Sequence, residues 1–475
     1  MCKVSAAILA AGMGQRMRSV LPKVLHQVCG RPMCSLVREV LRDAGIAHVV
    51  GVVSPQGQAV RAALGADTDF VVQPQPLGTG DAVRYALIRV VDSAHVLVLY
   101  GDTPLLRPET VRSLVCGHIA AGPAVSMLTA EMDDPAGYGR VVRDPEGRLL
   151  EIVEQLQCTP QQAAIREANV GIYCVDRSVL DRYIPLLEAH PPQGEYLFTD
   201  IVGLVLRDGL DVRTVAADAE EVAGVNSRHQ LAEAEAKLRR REVRRLMDSG
   251  VTVVDPATTY VDRGVTVGTD TVVRPHSYLL RGTAVGSGCT IGPGAYLDGA
   301  TLADGVSVIF STVEGSCVGP DCTIGPYAHL RPGTVLETAV KVGNFAEVKN
   351  SRLGVGTKVS HHSYVGDSDV GRDTNVGAGA VFVNYDGRDK HRTTVGDGAF
   401  IGCNVNLVAP VRVGDRSYVA AGSTITDEVP AESLAIARQR QRVILEWVRR
   451  RFGPAPDRPE EGRGHGGGEP GSDGF

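Results

Sequence analysis

The chain has 475 residues, of which 43% are hydrophobic and 22% charged, and its formal net charge is −6. This length is too great for one ordinary hydrophobic core and predicts two or three domains. The negative charge excludes a global field that attracts nucleic acid, and the aromatic residues, at 5%, are too few to form stacking platforms for single strands.

Residues 1 to about 225 alternate short apolar segments with helical patterns. This alternation predicts an α/β Rossmann-like domain whose parallel sheet is covered by helices on both faces. Ligands then bind at the carboxyl ends of the strands. The predicted strands span residues 4–9, 49–53, 70–72, 96–100 and 125–128, and the predicted helices span 31–44, 58–64, 79–90 and 108–120.

A segment without Gly or Pro follows this domain and continues to Gly250. It predicts one connecting helix over residues 227–249, capped by Asn226 or Ser227. At the other end of the chain, residues 453–475 are rich in Gly, Pro and charge, which predicts disorder. We therefore divide the chain into a domain of residues 1–226, a linker helix (227–250), a second domain (251–452) and a tail (453–475).

The second domain has an internal repeat in which an aliphatic residue returns every six positions, as in Val273, Leu279, Val285 and Ile291. A period of six fits neither an α-helix nor an alternating strand. It indicates a triangular parallel coil in which each flat side takes about one hexapeptide and the aliphatic residue points inward. The repeat is interrupted over residues 384–393, where we expect a polar loop that projects outward.

A glycine-rich loop with the sequence Leu9-Ala-Ala-Gly-Met-Gly-Gln-Arg-Met17 follows the first predicted strand and precedes Leu21-Pro-Lys-Val-Leu-His26. Its backbone N–H groups can approach an anion, and a lysine can neutralise phosphate charge. The spacing matches neither the Walker loop nor GxGxxG. Taken alone, this loop is equally consistent with a simple tight turn.

The two motifs resemble those of sugar-1-phosphate nucleotidyltransferases. Together with the hexapeptide repeat, the chain from about Val4 to Arg438 resembles the family of bifunctional N-acetylglucosamine-1-phosphate uridylyltransferases and glucosamine-1-phosphate N-acetyltransferases. Members of that family have a left-handed parallel β-helix, so the resemblance also implies the handedness. The further motifs that carry it are Leu77-Gly-Thr79, Leu99-Tyr-Gly-Asp102, Gly137-Tyr-Gly-Arg140, Ile152-Val-Glu154, Asn169-Val-Gly171, Gln193-Gly-Glu-Tyr196 and Val225-Asn-Ser-Arg228.

The resemblance implies a uridylyltransferase site in the first domain. Asp102 and Asn226 are the implied ligands of Mg²⁺, and hard oxygen donors suit that ion. Arg16 and Lys23 are implied to stabilise phosphate charge during catalysis. UTP and the UDP-sugar product are implied to contact Leu9, Ala10, Ala11, Gly12, Lys23, Gln73, Gly78, Thr79, Tyr100, Gly101, Asp102, Gly139, Glu154, Asn169 and Asn226. Within this set, Leu9–Gly12, Gln73, Gly78 and Thr79 are implied to hold the uridine nucleotide, and Gly139, Glu154 and Asn169 the sugar.

The resemblance also implies an acetyltransferase site on the repeat domain, with His361 as general base. His361 is preferred to His362 because its position matches the family's catalytic histidine, while Glu347 is expected to orient the site. Glucosamine 1-phosphate is implied to bind Arg331, Lys349, Tyr364, Asn375 and Lys390. Acetyl-CoA is implied to bind Ala378, Asn384, Tyr385, Cys403, Ala421 and Arg438.

Several features depart from the family or leave alternatives open. Gln15 stands where the family commonly has Thr, and Gln155 stands where some members have His, but neither change removes an essential charge. Cys403 is interpreted as a small residue near acetyl-CoA in preference to a nucleophile. Zinc bound by His329, His361 and His362 is disfavoured, because adjacent residues of a strand point in different directions.

The predicted function is acetylation of glucosamine 1-phosphate followed by transfer of UMP from UTP, which gives UDP-N-acetylglucosamine and pyrophosphate for cell-envelope polysaccharides. The alternatives are a single-activity sugar nucleotidyltransferase with the β-helix as a trimerisation scaffold, an enzyme for another sugar or nucleotide, and a pure interaction solenoid. The resemblance further implies a homotrimer whose sites form between subunits, with the 384–393 loop as a candidate bridge.

The ten cysteines include no CxxC pair and indicate neither a disulfide framework nor a zinc knuckle. Reduced thiols are typical of a reducing compartment. No apolar run reaches the ~20 residues of a membrane span. We therefore expect a cytoplasmic protein with small-molecule substrates, no membrane span and no nucleic-acid partner.

Overall fold

The computed structural model describes residues 3–191 and 194–454. The predicted tail therefore lies outside the described residues from residue 455 onward, as does Gln193 of the Gln193–Tyr196 motif. The described chain forms an α/β unit, a connecting helix and a parallel β-helix. No helix in the described ranges is long and apolar enough to cross a membrane.

The α/β unit contains a sheet with the strand order β13-β7-β10-β6-β1-β4-β5, and β8 and β9 extend it beside β10. Two further pairs, β2 with β3 and β11 with β12, are separate two-stranded ribbons. The strands are β1 (Val4–Leu9), β2 (Gln27–Val28), β3 (Arg31–Pro32), β4 (His48–Val53), β5 (Asp69–Val72), β6 (His95–Tyr100), β7 (Val125–Glu131), β8 (Gly139–Arg143), β9 (Leu149–Val153), β10 (Glu167–Asp176), β11 (Ala189–His190), β12 (Glu195–Tyr196) and β13 (Val212–Ala216).

Helices cover both faces of this sheet, as β1 illustrates. Ala6 and Ile8 belong to the core on one face, and Ala7 and Leu9 belong to the core on the other. A strand that is buried on both sides is apolar at every position, which explains the continuous apolar run in the sequence. The helices are α1 (Met33–Asp43), α2 (Gln58–Leu64), α3 (Thr79–Ala86), α4 (Pro108–Ala121), α5 (Pro160–Ala163), α6 (Arg177–Tyr183), α7 (Asp200–Arg207), α8 (Ala219–Val222) and α9 (Arg228–Asp248), with short 3₁₀ turns at Gln15–Met17, Lys23–Leu25, Gln155–Gln157 and Ile184–Leu186.

The predicted parallel pairing is observed among β5, β4, β1 and β6 and between β7 and β13. The sheet is nevertheless mixed, because β10, a strand that the sequence analysis did not predict, runs antiparallel to both β6 and β7. Parallel neighbours need a long crossover, whereas antiparallel strands need only a short connection. The connection from β9 to β10 contains a 3₁₀ turn and the four-residue helix α5.

The connecting helix α9 begins after Ser227, whose Oγ accepts a hydrogen bond from the Gln230 backbone N–H at 3.2 Å. Of the two predicted caps, Ser227 is therefore the one observed. Leu238 packs with core residues of the α/β unit, and Val243 and Leu246 join the core of the β-helix. The helix thus joins the two units through buried apolar contacts on both sides.

The second unit is a left-handed parallel β-helix with three faces. The predicted inward residues are buried, and Leu279, Ile291 and Val359 have no exposed surface. Face 1 comprises Thr252–Val253, Val272–Val273, Thr290–Ile291, Ser307–Val308, Thr323–Ile324, Lys341–Asn344, Lys358–His361, Asn375–Val376, Phe400–Ile401, Tyr418–Val419 and Leu434–Ala435. Face 2 comprises Tyr260–Val261, Tyr278–Leu280, Tyr296–Asp298, Thr312–Glu314, His329–Leu330, Glu347–Lys349, Tyr364–Gly366, Val381–Val383, Asn406–Val408 and Thr424–Ile425. Face 3 comprises Thr266–Val267, Ala284–Val285, Thr301–Leu302, Cys317–Val318, Val335–Leu336, Arg352–Leu353, Ser368–Val370, Thr393–Val395 and Val411–Val413.

The insertion at residues 384–393 projects from the β-helix, as its polar sequence predicts. Residues 385–390 are exposed, and Tyr385 and Lys390 form an antiparallel bridge across the loop. Beyond the last strand, the chain forms a helix that the sequence analysis did not predict, α10 (Trp447–Phe452), whose side chains are exposed.

Candidate active sites

The glycine-rich loop lies at the carboxyl end of β1 and lines a cavity of about 250 Å³. All seven residues predicted to hold only the nucleotide line this cavity, namely Leu9, Ala10, Ala11, Gly12, Gln73, Gly78 and Thr79. Gln73 is buried, and its Nε2 donates hydrogen bonds to Asp81 Oδ2 at 2.8 Å and to the Gly78 carbonyl at 3.2 Å. The Gln73 side chain is therefore fixed before any ligand binds.

A second cavity, of about 260 Å³, adjoins the first and shares Lys23, Thr79, Tyr100 and Asp102 with it. The predicted sugar residues Gly139, Glu154 and Asn169 line this second cavity, and so do Arg16 and Asn226. Gly101 lines neither cavity. Two chambers that meet at Lys23 and Asp102 suit a reaction between two anionic substrates.

Lys23, Asp102 and Asn226 converge where the two cavities meet. The Lys23 ammonium forms an ion pair with the Asp102 carboxylate and donates a hydrogen bond to Asn226 Oδ1 at 2.8 Å. Asp102 is 8% exposed, and its backbone carbonyl accepts from the Val225 N–H, which fixes the Asn226 segment beside it. Two oxygen donors thus point at one cation, an arrangement that a divalent metal ion also requires.

The residues that line the second cavity, for which the sequence analysis predicts sugar binding, are fixed by hydrogen bonds within the protein. Glu154 Oε1 accepts from the Thr199 hydroxyl at 2.8 Å. The Asn169 side chain donates to the Tyr173 hydroxyl at 2.6 Å and accepts from the Gly171 N–H at 3.1 Å. These contacts lock the side chains in position, so the sugar would enter a preformed pocket.

Tyr138 and Tyr100 are two cavity residues whose roles the sequence analysis did not predict in detail. The Tyr138 hydroxyl accepts from the Gly224 N–H at 2.9 Å and so joins the Gly137–Gly139 segment to the Asn226 segment. Burial is the main cause that raises the pKa of Tyr100, and the nearby Asp102 and Glu154 carboxylates add to it. Tyr100 therefore stays protonated and serves as a neutral wall of the site.

Most of the predicted acetyltransferase residues lie on face 2 of the β-helix, at its two corners or in the adjoining 384–393 loop. Arg331 Nη1 pairs with Glu347 Oε1 at 2.9 Å, and Lys349 lies 3.9 Å from Asp367 Oδ2. The Asn384 side chain donates to the Tyr364 hydroxyl at 3.3 Å and also contacts Asp367. The structure thus brings together Arg331, Glu347, Lys349, Tyr364 and Asn384.

Lys349 and Lys390 are neighbours, which explains why the pKa of Lys390 is lowered: the adjacent Lys349 disfavours a second ammonium. The buried carboxylate of Asp367 partly offsets this repulsion. Burial alone raises the pKa of Asp367, but hydrogen bonds from Asn350 and Asn384 and the charge of Lys349 outweigh burial and lower it. Two ammonium groups with one counterion leave a net positive site that suits a phosphate group.

His361 is exposed at the corner between faces 1 and 2, one coil after Asn344. Its Nδ1 is hydrogen bonded to Asn344 Oδ1, so the proton resides on Nδ1 and the lone pair of Nε2 is free. His362 has a left-handed backbone conformation and stacks on Phe345 at 5.0 Å. The structure therefore separates the two histidines, and only His361 presents a nitrogen that is oriented by a neighbouring side chain.

The zinc alternative finds no support in the described part of the chain. His329 pairs with Glu314, His361 with Asn344, and His362 stacks on Phe345. Among the described residues, none of these three histidines belongs to a group of three or more side chains whose ligand atoms lie close enough to hold one metal ion.

Three of the six residues predicted for acetyl-CoA follow the corner between faces 1 and 2 through successive coils beyond His361. The His361 carbonyl accepts from the Gly379 N–H, the Ala378 carbonyl from Asn404, and the Cys403 carbonyl from Gly422. Ala378, Cys403 and Ala421 therefore line one continuous ridge that begins at the imidazole. Asn375 lies on the adjoining strand of face 1, Tyr385 is exposed on the loop, and Arg438 lies in the exposed segment after the last strand.

Comparison with known proteins places this geometry in a family. Residues 6–167 match the MobA-like NTP transferase domain, and residues 392–427 match the bacterial transferase hexapeptide family of six repeats.

Three curated relatives resemble the chain over nearly its full length, and each has the name Bifunctional protein GlmU. The protein of Brevibacillus brevis is 46% identical, with 93% of this chain and 96% of the relative covered. That of Pelobacter propionicus is 47% identical, with coverage of 92% and 96%, and that of Caldanaerobacter subterraneus is 44% identical, with coverage of 94% and 98%. With both domain types present in the order and geometry described above, the chain belongs to the family of bifunctional GlmU proteins.

Proposed function

We propose that the chain acetylates glucosamine 1-phosphate with acetyl-CoA on the β-helix and then transfers UMP from UTP to N-acetylglucosamine 1-phosphate in the α/β unit. The products are UDP-N-acetylglucosamine, a precursor for cell-envelope polysaccharides, and pyrophosphate. The observation that carries this proposal is the presence of two separate cationic sites, one around Lys23 and Asp102 and one around Lys349 and His361. We assign these sites to residues 1–226 and 251–452, joined by the helix within residues 227–250.

In the uridylyl reaction, a phosphate oxygen of the sugar phosphate attacks the α-phosphorus of UTP and pyrophosphate leaves. Both reactants are anions, so catalysis depends on positioning and on neutralisation of charge. Gln73 and the glycine-rich loop hold the nucleotide, while Glu154 and Asn169 hold the sugar in the adjoining cavity. Lys23 and Arg16 then stabilise the charge that builds on the transferring phosphate.

We assign Asp102 and Asn226 as the metal ligands, because their oxygens already converge on one ammonium. A hard divalent ion such as Mg²⁺ suits a carboxylate and an amide oxygen, and when bound it supplies electrophilic stabilisation of phosphate oxygens. Lys23, once displaced from these oxygens, becomes available to the substrate phosphates.

In the acetyl reaction, Lys349, Lys390 and Arg331 hold the phosphate of glucosamine 1-phosphate. The amino group of the sugar loses a proton to Nε2 of His361 and attacks the thioester carbonyl of acetyl-CoA, and the thiolate of CoA leaves. Asn344 fixes the imidazole through Nδ1. The CoA chain follows the ridge of Ala378, Cys403 and Ala421, with Cys403 as a small contact residue.

A homotrimer is proposed because the acetyltransferase residues lie on an open surface of a single chain. The exposed loop 385–390 and the exposed apolar residues of α10 can complete this site from a neighbouring copy. A cytoplasmic location is proposed because the nine cysteines of the described ranges are all free thiols.

The proposal is tested by product analysis of the purified full chain with Mg²⁺, UTP, acetyl-CoA and glucosamine 1-phosphate, with one component omitted at a time. We expect UDP-N-acetylglucosamine only with the complete mixture. His361→Ala should abolish acetylation and retain UMP transfer to supplied N-acetylglucosamine 1-phosphate, and Asp102→Asn should do the reverse. Unchanged acetylation by His361→Ala would instead favour the alternative in which the β-helix is only a scaffold.

A further inference from the structure

Three potential metal ligands meet at the edge of the sheet opposite the catalytic edge. His95 begins β6, His118 lies in the last turn of α4, and Asp176 ends β10. His95 Nδ1 lies 2.7 Å and His118 Nε2 lies 3.1 Å from the same oxygen, Asp176 Oδ1. The three ligand atoms all lie within 4.8 Å of one another. None of these residues takes part in the proposed reactions, because Asp102 lies beyond the other end of β6.

The surroundings hold this cluster in a conformation ready for a metal. The two imidazole rings are nearly perpendicular, at 88°, so their nitrogens converge without stacking of the rings. The side chain of His118 has no exposed surface, and burial is the main cause that lowers its pKa. Its other nitrogen, Nδ1, is 2.9 Å from Ser126 Oγ. A histidine that ligates a metal typically has its second nitrogen fixed in this way.

The spacing of the donor atoms fits a small tetrahedral ion. Zinc bonds to nitrogen and oxygen of about 2.0–2.2 Å place neighbouring donors roughly 3.3 Å apart. The two separations from Asp176 Oδ1, 2.7 and 3.1 Å, need to widen by about 0.6 and 0.2 Å. The two histidine nitrogens, which lie within 4.8 Å of each other, must come to a similar spacing.

Access to the cluster is provided from one side. A cavity of about 410 Å³ is lined by Asp176 and by a second acidic residue, Asp211. The Asp176 side chain is 32% exposed, so a hydrated ion can reach it. Arg182 also lines this cavity, whereas His95 and His118 do not, so an ion would enter past the Asp176 carboxylate.

We propose that His95, His118 and Asp176 form a binding site for a divalent ion of the zinc class, which ties the end of α4 to the sheet. A metal ion would bind the ring nitrogens that face Asp176, so each neutral histidine would carry its proton on the opposite ring nitrogen; in His118 this is Nδ1, beside Ser126 Oγ. The two nitrogens and one oxygen favour zinc or cobalt over magnesium, which prefers oxygen ligands. The site is structural and independent of the proposed transferase activities.

The test is a titration of the chelator-treated full chain with Co²⁺, followed by visible absorption. Thiols are the main competitors, since Cys116 lies two residues before His118 and is exposed. Coordination by thiolate gives an intense near-ultraviolet charge-transfer band, whereas ligation by two histidines and an aspartate gives only weak visible bands. We expect one equivalent of cobalt at this cluster, beyond any that binds at Asp102 and Asn226, with visible bands and without the thiolate band. The thermal midpoint should also rise when Zn²⁺ is added.

Two variants and one control decide the assignment. His95→Gln and His118→Asn should each weaken cobalt binding at least ten-fold and abolish the shift of the thermal midpoint. His190→Gln is the matched control, because His190 also pairs with a carboxylate, Asp200, at 2.6 Å but lies outside the three-ligand cluster. Retained uridylyl transfer shows that the variants fold. Equal cobalt binding by the wild type and both variants, or a thiolate band in the wild type, would overturn the proposal.

Discussion

Replacement of Lys23 by Met is expected to strengthen metal binding to the nucleotide-free protein while it weakens uridylyl transfer. In the structure, the Lys23 ammonium pairs with the Asp102 carboxylate and with Asn226 Oδ1 at 2.8 Å. A divalent ion that uses the same two ligands must first displace this ammonium. Lys23→Met keeps a side chain of similar length and removes the competing charge.

The size of the effect follows from the contacts that the ion must break. A hydrogen bond to a charged group contributes about 1.5–3 kcal/mol to stability. The side chains of Lys23 and Asp102 are only 16% and 11% exposed, so solvent screens this interaction little. Since 1.4 kcal/mol corresponds to a factor of ten, we expect the dissociation constant to fall by roughly 10- to 150-fold. Loss of the cation from the triphosphate should lower uridylyl transfer by about 10²–10³-fold.

The assay is the electron paramagnetic resonance signal of free Mn²⁺ during titration of the full chain without nucleotide. Lys390→Met, which removes an ammonium from the other site, is the matched control and should leave Mn²⁺ binding unchanged. Asp102→Asn should abolish it. A Lys23→Met variant that binds Mn²⁺ no more tightly than the wild type would show that Lys23 does not occupy the metal position. The assignment of Asp102 and Asn226 as metal ligands would then be refuted.

Three further predictions concern separate parts of the molecule. His361→Gln should lower acetyl transfer by about 10²–10⁴-fold, and Asn344→Ala by a smaller factor, with uridylyl transfer unchanged in coupled assays of each half-reaction. Gly171→Ala should reduce the free energy of unfolding, measured by urea titration, by roughly 1–3 kcal/mol. The backbone φ at this residue is +76°, and the added Cβ would collide with the Tyr100 ring. An unchanged urea midpoint would contradict this prediction. The pKa of Asp367 is depressed below its ordinary value of 3.8, so its ionised form stabilises the fold above that pH, and this contribution is lost as the pH falls through the folded-state pKa. Asp367→Asn should therefore flatten the acid limb of a plot of urea midpoint against pH, and an identical limb would refute the role of this carboxylate.

The repeat domain is the part of the fold that local sequence predicts best. An inward aliphatic residue every six positions is a requirement of the coil itself, so the pattern is visible without knowledge of distant contacts. The antiparallel direction of β10 was missed for the opposite reason. It depends on which neighbour the strand joins after the β8–β9 ribbon, and no short segment encodes that choice.

The site residues also fall into two groups, those that local sequence predicts and those that depend on distant contacts. The glycine-rich loop and Asp102 follow apolar strands and are recognisable locally, whereas Asn226 meets Lys23 from 203 positions away and was found only through family resemblance. Asn344 and Asp367 were not predicted as functional. Asn344 could have been found from the repeat itself. It precedes His361 by 17 positions, about one coil, and residues one coil apart are neighbours on a solenoid. The cluster of His95, His118 and Asp176 depends on the packing of α4 against the sheet and has no local signature.

The coils that precede Arg331 contain none of the residues assigned to either reaction. Adjacent strands of a sheet are about 4.8 Å apart, so four such coils form a rigid spacer of roughly 20 Å between α9 and the first phosphate-binding side chain. An intermediate made on the β-helix must travel at least this far through bulk water to reach the second centre of its own chain. Its capture by a different molecule is therefore as feasible as its capture by the one that made it, and an external trap added to the mixture would intercept it.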